Sequence, residues 1–299
     1  MEQLIKLCEK FNCKYLQNEK MSLHTTFKIG GNARLVVYPQ NEEQISELVK
    51  CAKAENVRLI AVGNGSNLLV DDDGIDACVL ILGEPFSQIK LIDDETIYAK
   101  AGAKLIALCR FAYEHSLSGL EFAYGIPGSA GGAAFMNAGA YGGEMKDVLY
   151  KCEHIDKNGD IGFLEYDDLK LSYRHSAYYD NGAVITGLYL KLKKGEKSEI
   201  KEKMDDLIGR RKDKQPIDMP SDGSTFKRPE GNFAGTLIEQ CGLKGFSIGG
   251  AMVSDKHAGF IVNTGDATCS EVLRLIEKVK DTVLEKSGVL LEPEVRVIK

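Results

Sequence analysis

Two glycine-rich stretches carry the clearest chemical signal in the sequence. Eight of the 31 glycines lie in GLEFAYGIPGSAGGAAFMNAGAYGG, residues 119–143, and GNGSNLLV follows a strand-like run at 63–70. Glycine costs backbone entropy on folding, so such a cluster marks main chain that must approach something closely. Its N–H groups can converge on a pyrophosphate. A mobile surface loop would be the simpler explanation, but the apolar Ile126, Phe135 and Met136 argue against it for the longer stretch.

Other nucleotide-binding signatures are absent. No Gly-Lys pair occurs anywhere, which excludes the P-loop pattern G-x-x-x-x-G-K-[ST]. Gly63 and Gly65 begin a G-x-G-x-x-G match, but Leu68 stands in the place of the third glycine. The sequence therefore disfavours a Rossmann-type dinucleotide fold.

One serine stands in a pattern that is typical of hydrolases. Gly245, Ser247 and Gly249 satisfy G-x-S-x-G, a pattern that needs a strand before it and a helix after it. Here the sequence predicts a helix before it and a strand after it, and Asp255 and His257 follow within ten residues of the serine. A serine hydrolase is therefore disfavoured.

The eight cysteines and five histidines show no metal-ligand spacing. Neither C-x-x-C nor H-E-x-x-H occurs, which argues against a zinc ribbon, a thioredoxin-like site or a metallopeptidase. Scattered cysteines of this kind are most often small buried hydrophobic residues.

Charge and hydropathy limit the partners. With 38 basic and 44 acidic residues the net charge is −6, which argues against a nucleic-acid partner. No apolar run approaches the roughly 18 residues that span a bilayer. The N-terminal MEQLIKLCEKFNCKYL reads as an amphipathic helix with Leu4, Leu7, Cys8 and Phe11 on its apolar face, and not as an export signal. We therefore expect a cytoplasmic protein without a membrane partner.

The elements that position these residues are predicted to form three parts, because 299 residues exceed one comfortable hydrophobic core. Residues 1–82 contain a strand at 34–38, a helix from the capping Asn41 to Asn56, and a strand at 57–63. Residues 83–200 contain the strands TIYAKAG and AVITGLYLKL and a helix near 103–116.

The third predicted part is residues 201–299. It holds a helix near 233–241 ended by Gly242, the strands GGAMV and AGFIVN, a long helix from Ser270, and a final strand GVLLEPEVRVI. Strands and helices alternate without strict order, which indicates an α+β fold.

A charged stretch connects the second and third parts. Residues 191–214 contain ten Lys or Arg and six Asp or Glu. A solvated helix surface is the simpler interpretation. The alternative is that its end, RRKDK, faces an anionic ligand.

Six motifs in order resemble one known family. They are TTFKIGG (25–31), GNGSNLL (63–69), GIPGSAGGAAFMNAGAYGG (125–143), SYRHS (172–176), GSTFKRP (223–229) and EPEVR (292–296). Together they resemble the UDP-N-acetylenolpyruvoylglucosamine reductases, flavoenzymes of peptidoglycan precursor synthesis.

The resemblance implies a vanillyl-alcohol-oxidase/PCMH-type flavin-binding domain of two lobes, followed by a C-terminal α+β substrate-binding domain. Residues 1–82 and 83–200 would be the two FAD-binding lobes and 201–299 the substrate domain. FAD would be bound non-covalently, with NADPH as hydride donor. The implied cofactor contacts are Gly63, Asn64, Gly65, Ser66, Asn67, Leu68, Gly125, Ile126, Pro127, Gly128, Ser129, Gly132, Asn137, Gly139, Ala140, Tyr141 and Arg296.

The family pattern also implies three catalytic residues. The substrate of that family is an enolpyruvyl ether of a UDP-sugar, and negative charge develops on it when hydride is added. Arg174 and Glu294 would stabilise that charge, and Ser224 would supply the proton. Without the resemblance, a surface arginine, a turn serine and a solvent-facing glutamate would be the simpler interpretations.

The implied substrate contacts are Lys214, at the diphosphate, with Tyr173 and Lys227. One branch of the family inserts an extra β-α-β-β unit and a tyrosine-bearing loop over the substrate. Only a short connection separates Leu190 from Arg210, so this chain resembles the shorter branch.

Two other functions remain open at this stage. A different oxidoreductase on the same scaffold, such as an aldonolactone or hydroxy-acid oxidase, would share the glycine loops but has no reason to pair GSTFKRP with EPEVR. A non-catalytic flavin or sugar-nucleotide sensor is the other alternative. We expect the protein to be a monomer.

Overall fold

The computed structural model describes residues Met1–Lys299. Its α-helices are α1 Glu2–Lys10, α2 Glu42–Ala54, α3 Leu105–Glu114, α4 Ala130–Phe135, α5 Tyr178–Asn181, α6 Lys197–Lys214, α7 Ala234–Gln240 and α8 Cys269–Ser287. Its strands are β1 Lys14–Lys20, β2 Asn32–Tyr38, β3 Arg58–Val62, β4 Leu68–Val70, β5 Ile75–Ile81, β6 Ile89–Leu91, β7 Thr96–Lys100, β8 Leu117–Ser118, β9 Gly139–Ala140, β10 Gly143–Glu144, β11 Leu149–Ile155, β12 Ile161–Glu165, β13 Val184–Lys191, β14 Lys193–Lys194, β15 Ser247–Ile248, β16 Ala251–Val253, β17 Ile261–Asn263 and β18 Arg296–Ile298. The predicted α+β class is confirmed.

The chain forms two compact units, each made of separate segments. Unit 1 contains residues 1–17, 35–64 and 77–209, and unit 2 contains 18–34, 65–76 and 210–299. The boundaries fall inside β1, β2 and β5, in a sheet of order β1-β2-β5-β3. The consecutive division at 82/83 and 200/201 stays a prediction.

Unit 1 is built on a five-stranded sheet of order β12-β11-β13-β7-β6, in which every pairing is antiparallel. Its central strand β13 is buried along nearly its whole length, as its sequence VITGLYLK suggests. The sheet shares one apolar core with α1, α2 and α3. The predicted strands TIYAKAG and AVITGLYLKL therefore lie side by side as β7 and β13.

The helix after Asn41 begins as predicted. The Asn41 side chain accepts a hydrogen bond from the main-chain N–H of Gln44 at 3.0 Å, which satisfies one of the free donors at the helix start. Ile45 and Leu48 pack into the core, and the helix ends at Ala54. The strand that follows, β3, pairs in parallel with β5.

Unit 2 surrounds the long helix α8. Thr268 and Glu271 form a reciprocal capping box at its start, and Gly288 ends it in the left-handed conformation. The helix packs against the antiparallel sheet β15-β16-β17 and against α7, which ends before Gly242 as predicted. The core of the unit also takes Phe27, Ile29 and Leu69 from segments far away in the sequence.

Two predicted boundaries need correction. The long helix begins at Cys269 and not at Ser270, because Thr268 is its cap. The final strand GVLLEPEVRVI is regular only over Arg296–Ile298. Pro293 pairs only through an isolated bridge to Phe226, so the chain before Arg296 does not form a continuous ladder.

The charged stretch 191–214 ends in helix α6, which buries only Ile200, Met204 and Leu207. The solvated-helix interpretation is confirmed for most of its surface. All eight cysteines are free thiols and seven are buried, as expected for small hydrophobic side chains. None of the helices combines the length and the apolar character that crossing a membrane requires.

Candidate active site

In unit 1 the two glycine-rich stretches meet. The side-chain amide of Asn64 donates a hydrogen bond to the Pro127 carbonyl oxygen at 2.5 Å. A Cβ atom on Gly63 would lie 2.0 Å from the Ser129 hydroxyl oxygen, so only glycine fits there without displacing that side chain. Ser129 in turn accepts a hydrogen bond from the Gly132 N–H at 3.2 Å. The close approach predicted from the glycines is therefore present.

The main chain at these stretches keeps donors available. The N–H groups of Gly63, Asn64, Gly65 and Ser66 donate no hydrogen bond to another main-chain group. Gly125 has a φ of +99°, a conformation that most other residues avoid. Glycine-lined main chain with free N–H groups suits the oxygens of a pyrophosphate, so these residues fit the FAD that the sequence predicts.

The remainder of the stretch GNGSNLLV, from Gly65 onward, lies in unit 2. Gly65 has a φ of +60°, and a Cβ atom there would lie 2.0 Å from the His24 carbonyl oxygen. The Asn67 side chain donates to the Glu294 carbonyl oxygen at 3.3 Å, and the Asn67 carbonyl accepts the Arg296 N–H at 3.1 Å. Strand β4, which begins at Leu68, pairs in parallel with β18. The motifs GNGSNLL and EPEVR are thus neighbours.

Unit 2 also brings GSTFKRP against EPEVR. The Glu294 N–H donates to the Thr225 carbonyl oxygen at 2.8 Å, and the Lys227 N–H donates to the Glu292 carbonyl oxygen at 2.8 Å. This pairing places Ser224, which precedes Thr225, beside the segment that carries Glu294. The serine is exposed. Two of the three predicted catalytic residues are therefore brought together by main-chain hydrogen bonds.

One carboxyl at this place was not among the predicted site residues. Asp222 is 2% exposed, and burial, with a smaller contribution from the nearby Glu294, raises its pKa to about 8. An acid two residues before the predicted proton donor was the signal that could have drawn attention to it.

The third predicted catalytic residue lies in a tight turn of unit 1. Ser172 and His175 exchange two main-chain hydrogen bonds of 3.1 Å, and Arg174 between them has a φ of +55°. That left-handed conformation is strained for a long side chain. The Arg174 guanidinium donates to the Gly139 carbonyl oxygen at 3.2 Å and lies 4.9 Å from the centre of the half-exposed Tyr173 ring.

The side chain of Asn137 is hydrogen-bonded to the turn that carries Arg174. Its side-chain amide donates to the Ser172 carbonyl oxygen at 2.9 Å and to Glu144, while its carbonyl oxygen accepts the Lys146 N–H. The residue is fully buried. Its side chain thus holds the turn in place, and a direct contact with FAD stays a prediction.

The remaining predicted residues lie in four places. In unit 1, Ala140 and Tyr141 follow Gly139, and Tyr141 is 43% exposed with a φ of +53°. The Ile126 N–H donates to the Ala123 carbonyl, and the Gly128 carbonyl accepts the Leu105 N–H. In unit 2, Lys214 ends helix α6, and the Lys227 ammonium lies 3.2 Å from Glu292.

Lys214 lies close enough to His257 to affect the pKa of that histidine. Burial, followed by the charges of Lys244 and Lys214, lowers the pKa of this histidine, while Glu239 opposes the shift. The Lys256 ammonium donates to the Lys212 carbonyl at 2.7 Å, which joins the end of α6 to the segment before β17. The end of the charged stretch therefore lies in a basic region of unit 2.

Two protein families match this chain, one over the region of the glycine-rich stretches and one over its C-terminal region. Residues 215–298 match the family described as UDP-N-acetylenolpyruvoylglucosamine reductase, C-terminal domain. Residues 33–163 match the family described as FAD binding domain. The first match contains Ser224, Glu294 and Arg296, and the second contains both glycine-rich stretches.

Curated relatives named UDP-N-acetylenolpyruvoylglucosamine reductase are similar over nearly the whole chain. The protein from Agathobacter rectalis is 49% identical over 95% of this chain and 93% of its own length. That from Caldanaerobacter subterraneus is 47% identical, over 95% and 94%. That from Streptococcus pneumoniae strain JJA is 45% identical, over 99% and 97%.

A solved structure shares the fold. The crystal structure of the reductase of that name from Thermus caldophilus superposes with a TM-score of 0.82 at 35% identity, covering 96% of this chain and 99% of that one. The predicted fold, a flavin-binding region followed by a C-terminal α+β domain, is confirmed.

Proposed function

Because the chain belongs to the UDP-N-acetylenolpyruvoylglucosamine reductase family, we propose that it reduces the enolpyruvyl ether of UDP-N-acetylglucosamine to UDP-N-acetylmuramate. FAD is the cofactor, held non-covalently, and NADPH is the hydride donor. The observation that carries the proposal is the main-chain pairing of Thr225 with Glu294, because it sets the exposed Ser224 beside an acid. A flavin sensor or an oxidase would have no use for that pair.

The residues of the chain have separate tasks in the reaction. Bound FAD would supply the hydride chemistry that links NADPH to the terminal vinyl carbon of the substrate. Arg174 would stabilise the negative charge that develops on the adjacent carbon and its carboxylate, and Glu294 would do so as a carboxyl group that donates a hydrogen bond. The Ser224 hydroxyl donates its proton to that carbon. A serine is a weak acid, but a carbanion is a stronger base, so the transfer is downhill.

Binding falls to other residues. The free N–H groups at Gly63–Ser66, with the stretch from Gly125 to Ser129, support a role in holding the FAD pyrophosphate. Lys214 would neutralise the substrate diphosphate, with Tyr173 and Lys227 as further contacts. Arg296, next to Asn67 through the main chain, would lie near the flavin.

The test separates the two half-reactions in the absence of oxygen. In a stopped-flow experiment, NADPH should bleach the bound flavin, and the UDP-enolpyruvyl sugar should restore its absorbance. The free sugar nucleotide without the enolpyruvyl group serves as the control and should restore nothing. A flavin that reoxidises only with oxygen would refute the proposed reaction.

The protein is further proposed to act as a monomer in the cytoplasm, without nucleic-acid or membrane partners. The eight free thiols support the cytoplasm, and the net charge of −6 supports the lack of a nucleic-acid partner. Light scattering after size exclusion should give a mass near the 32.8 kDa of one chain. Twice that mass would refute the monomer.

A further inference from the structure

The proposed reaction leaves one buried acid of the site without a task. Asp222 is 2% exposed, and one of its carboxyl oxygens, Oδ2, has no hydrogen-bond partner. The other, Oδ1, lies 3.5 Å from the Thr225 hydroxyl, at the outer limit of a hydrogen bond. Burying a carboxyl with so little compensation costs stability, and groups held at such a cost concentrate at functional sites.

The position of Asp222 connects it to both catalytic residues of unit 2. Thr225, which contacts the Asp222 carboxyl, accepts the Glu294 N–H on its carbonyl and the Ile261 N–H, at 3.0 Å, on its hydroxyl oxygen. Gly223, with a φ of +86°, is the single residue between Asp222 and Ser224. The carboxyl therefore belongs to the turn that presents the serine.

The charge of Asp222 depends on its surroundings. Burial is the main cause that raises its pKa to about 8, and the nearby Glu294 contributes in the same direction. At neutral pH the group therefore carries its proton. The segments adjoining this turn also carry the titratable or charged groups His24, Lys28, His257, Glu292 and Arg296.

We propose that Asp222 makes the reduction of the substrate sensitive to pH: its uncharged carboxyl permits the step, and its ionisation places a negative charge in the turn that presents Ser224. The proposal rests on the proposed function. Hydride addition puts negative charge on the carbon that Ser224 must protonate. An ionised Asp222 would put a negative charge one residue away from Ser224 and oppose that step.

The first test is the pH dependence of flavin reoxidation by the UDP-enolpyruvyl sugar. The wild-type rate should fall about tenfold between pH 7 and pH 9, because Asp222 ionises within that range. In Asp222→Asn and Asp222→Ala the rates at the two pH values should agree within about twofold, since neither side chain can ionise. The exposed Asp218, four residues earlier, supplies the control Asp218→Asn, which should keep the wild-type profile.

The second test measures thermal unfolding of the holoenzyme and needs no substrate. The folded protein holds a proton on Asp222 between about pH 4 and pH 8, where the unfolded chain has lost it. Asp222 therefore makes stability fall as pH rises through that window and level off above it. The melting temperature of Asp222→Asn should exceed that of the wild type by an amount that grows from pH 5 to pH 8, while Asp218→Asn should show no such trend.

The outcomes are distinct. If the reoxidation of Asp222→Asn falls with pH as that of the wild type does, the carboxyl does not govern the reaction and the proposal is overturned. If the melting-temperature difference does not change with pH, Asp222 is not a protonated acid and the proposal also fails. If the wild-type flavin is not reoxidised by the enolpyruvyl sugar at all, the proposed function fails, whereas the unfolding result still reports the charge of Asp222.

Discussion

Among single residues, Ser224 allows the sharpest test of the mechanism. Its hydroxyl is exposed in a turn held by the Thr225–Glu294 hydrogen bond. Only the protonation of the substrate needs that hydroxyl, so Ser224→Ala should keep FAD and be reduced by NADPH at a near-native rate. Reoxidation by the UDP-enolpyruvyl sugar should slow by about 10²- to 10⁴-fold, the usual effect of a positioned general acid. Both half-reactions are followed at the flavin absorbance.

Two further variants make the result specific to the hydroxyl. Ser224→Cys should recover part of the rate, because a thiol is the better acid. Ser221→Ala, three residues earlier, is the matched control and should behave as the wild type. Equal slowing of both half-reactions in Ser224→Ala would show that the serine is structural.

Lys214 calls for a different kinetic signature. A point charge on a diphosphate acts alike in the ground state and the transition state, so Lys214→Ala should raise KM about 10- to 100-fold with a smaller change in kcat. Lys212→Ala, on another face of the same helix end, is the control and should leave KM within about twofold, as expected for a solvated lysine. A loss confined to kcat would contradict the binding role. Steady-state kinetics with the UDP-enolpyruvyl sugar as the varied substrate measures both constants.

At the scale of elements, the close approach of the two glycine-rich stretches can be tested by substitution. A Cβ atom on Gly63 would lie 2.0 Å from the Ser129 hydroxyl oxygen and force that side chain from its hydrogen bond with Gly132. Gly63→Ala should therefore lower the affinity for FAD by about tenfold or more, the effect of 1.4 kcal/mol. Titration of the FAD-depleted protein, followed by quenching of flavin fluorescence, gives the dissociation constant.

The control for this substitution lies in the same unit. A Cβ atom on Gly83 meets no atom within 4 Å, and the φ of Gly83 is −95°. Gly83→Ala should consequently bind FAD as the wild type does. Equal affinities of the two variants would show that close approach at Gly63 is not needed for the cofactor.

The elements also show what could be predicted from the sequence. The helix after Asn41 was predictable because its start depends on one local hydrogen bond to Gln44. The irregular course of the chain around Pro293 was not, because its pairing with Phe226 joins residues 67 positions apart. Local capping acts within one turn, whereas such a bridge depends on tertiary packing.

The residues of the candidate site also differ in how far the sequence could predict them. Glycine clustering pointed to the stretches at Gly63 and Gly125 without any relative, because close approach of main chain restricts residue type directly. Ser224 and Glu294 needed the family resemblance, since their types alone fit an ordinary turn and a surface strand. Asp222 was missed because its importance comes from burial, which its place two residues before Ser224 does not by itself reveal.

At the scale of the whole molecule, FAD should be a source of stability as well as of chemistry. A ligand that binds only the folded protein stabilises it by about 2.7 kcal/mol at 100 times its dissociation constant. Removal of FAD should lower the melting temperature, and added FAD should restore it. FMN, which lacks the adenylate half of FAD, should restore less. A melting temperature that is insensitive to FAD would contradict a cofactor held by the folded chain.

The interrupted course of the chain also limits how this protein could have evolved. Unit 2 combines residues 18–34 and 65–76 with residues 210–299, which lie more than 130 positions farther along the chain. The early segments supply Phe27, Ile29 and Leu69 to its apolar core. A single recombination event near codon 210 would therefore transfer an incomplete core. Exchange of this unit between relatives requires several matched crossovers, so its substrate specificity is expected to have changed by point substitution and not by domain shuffling.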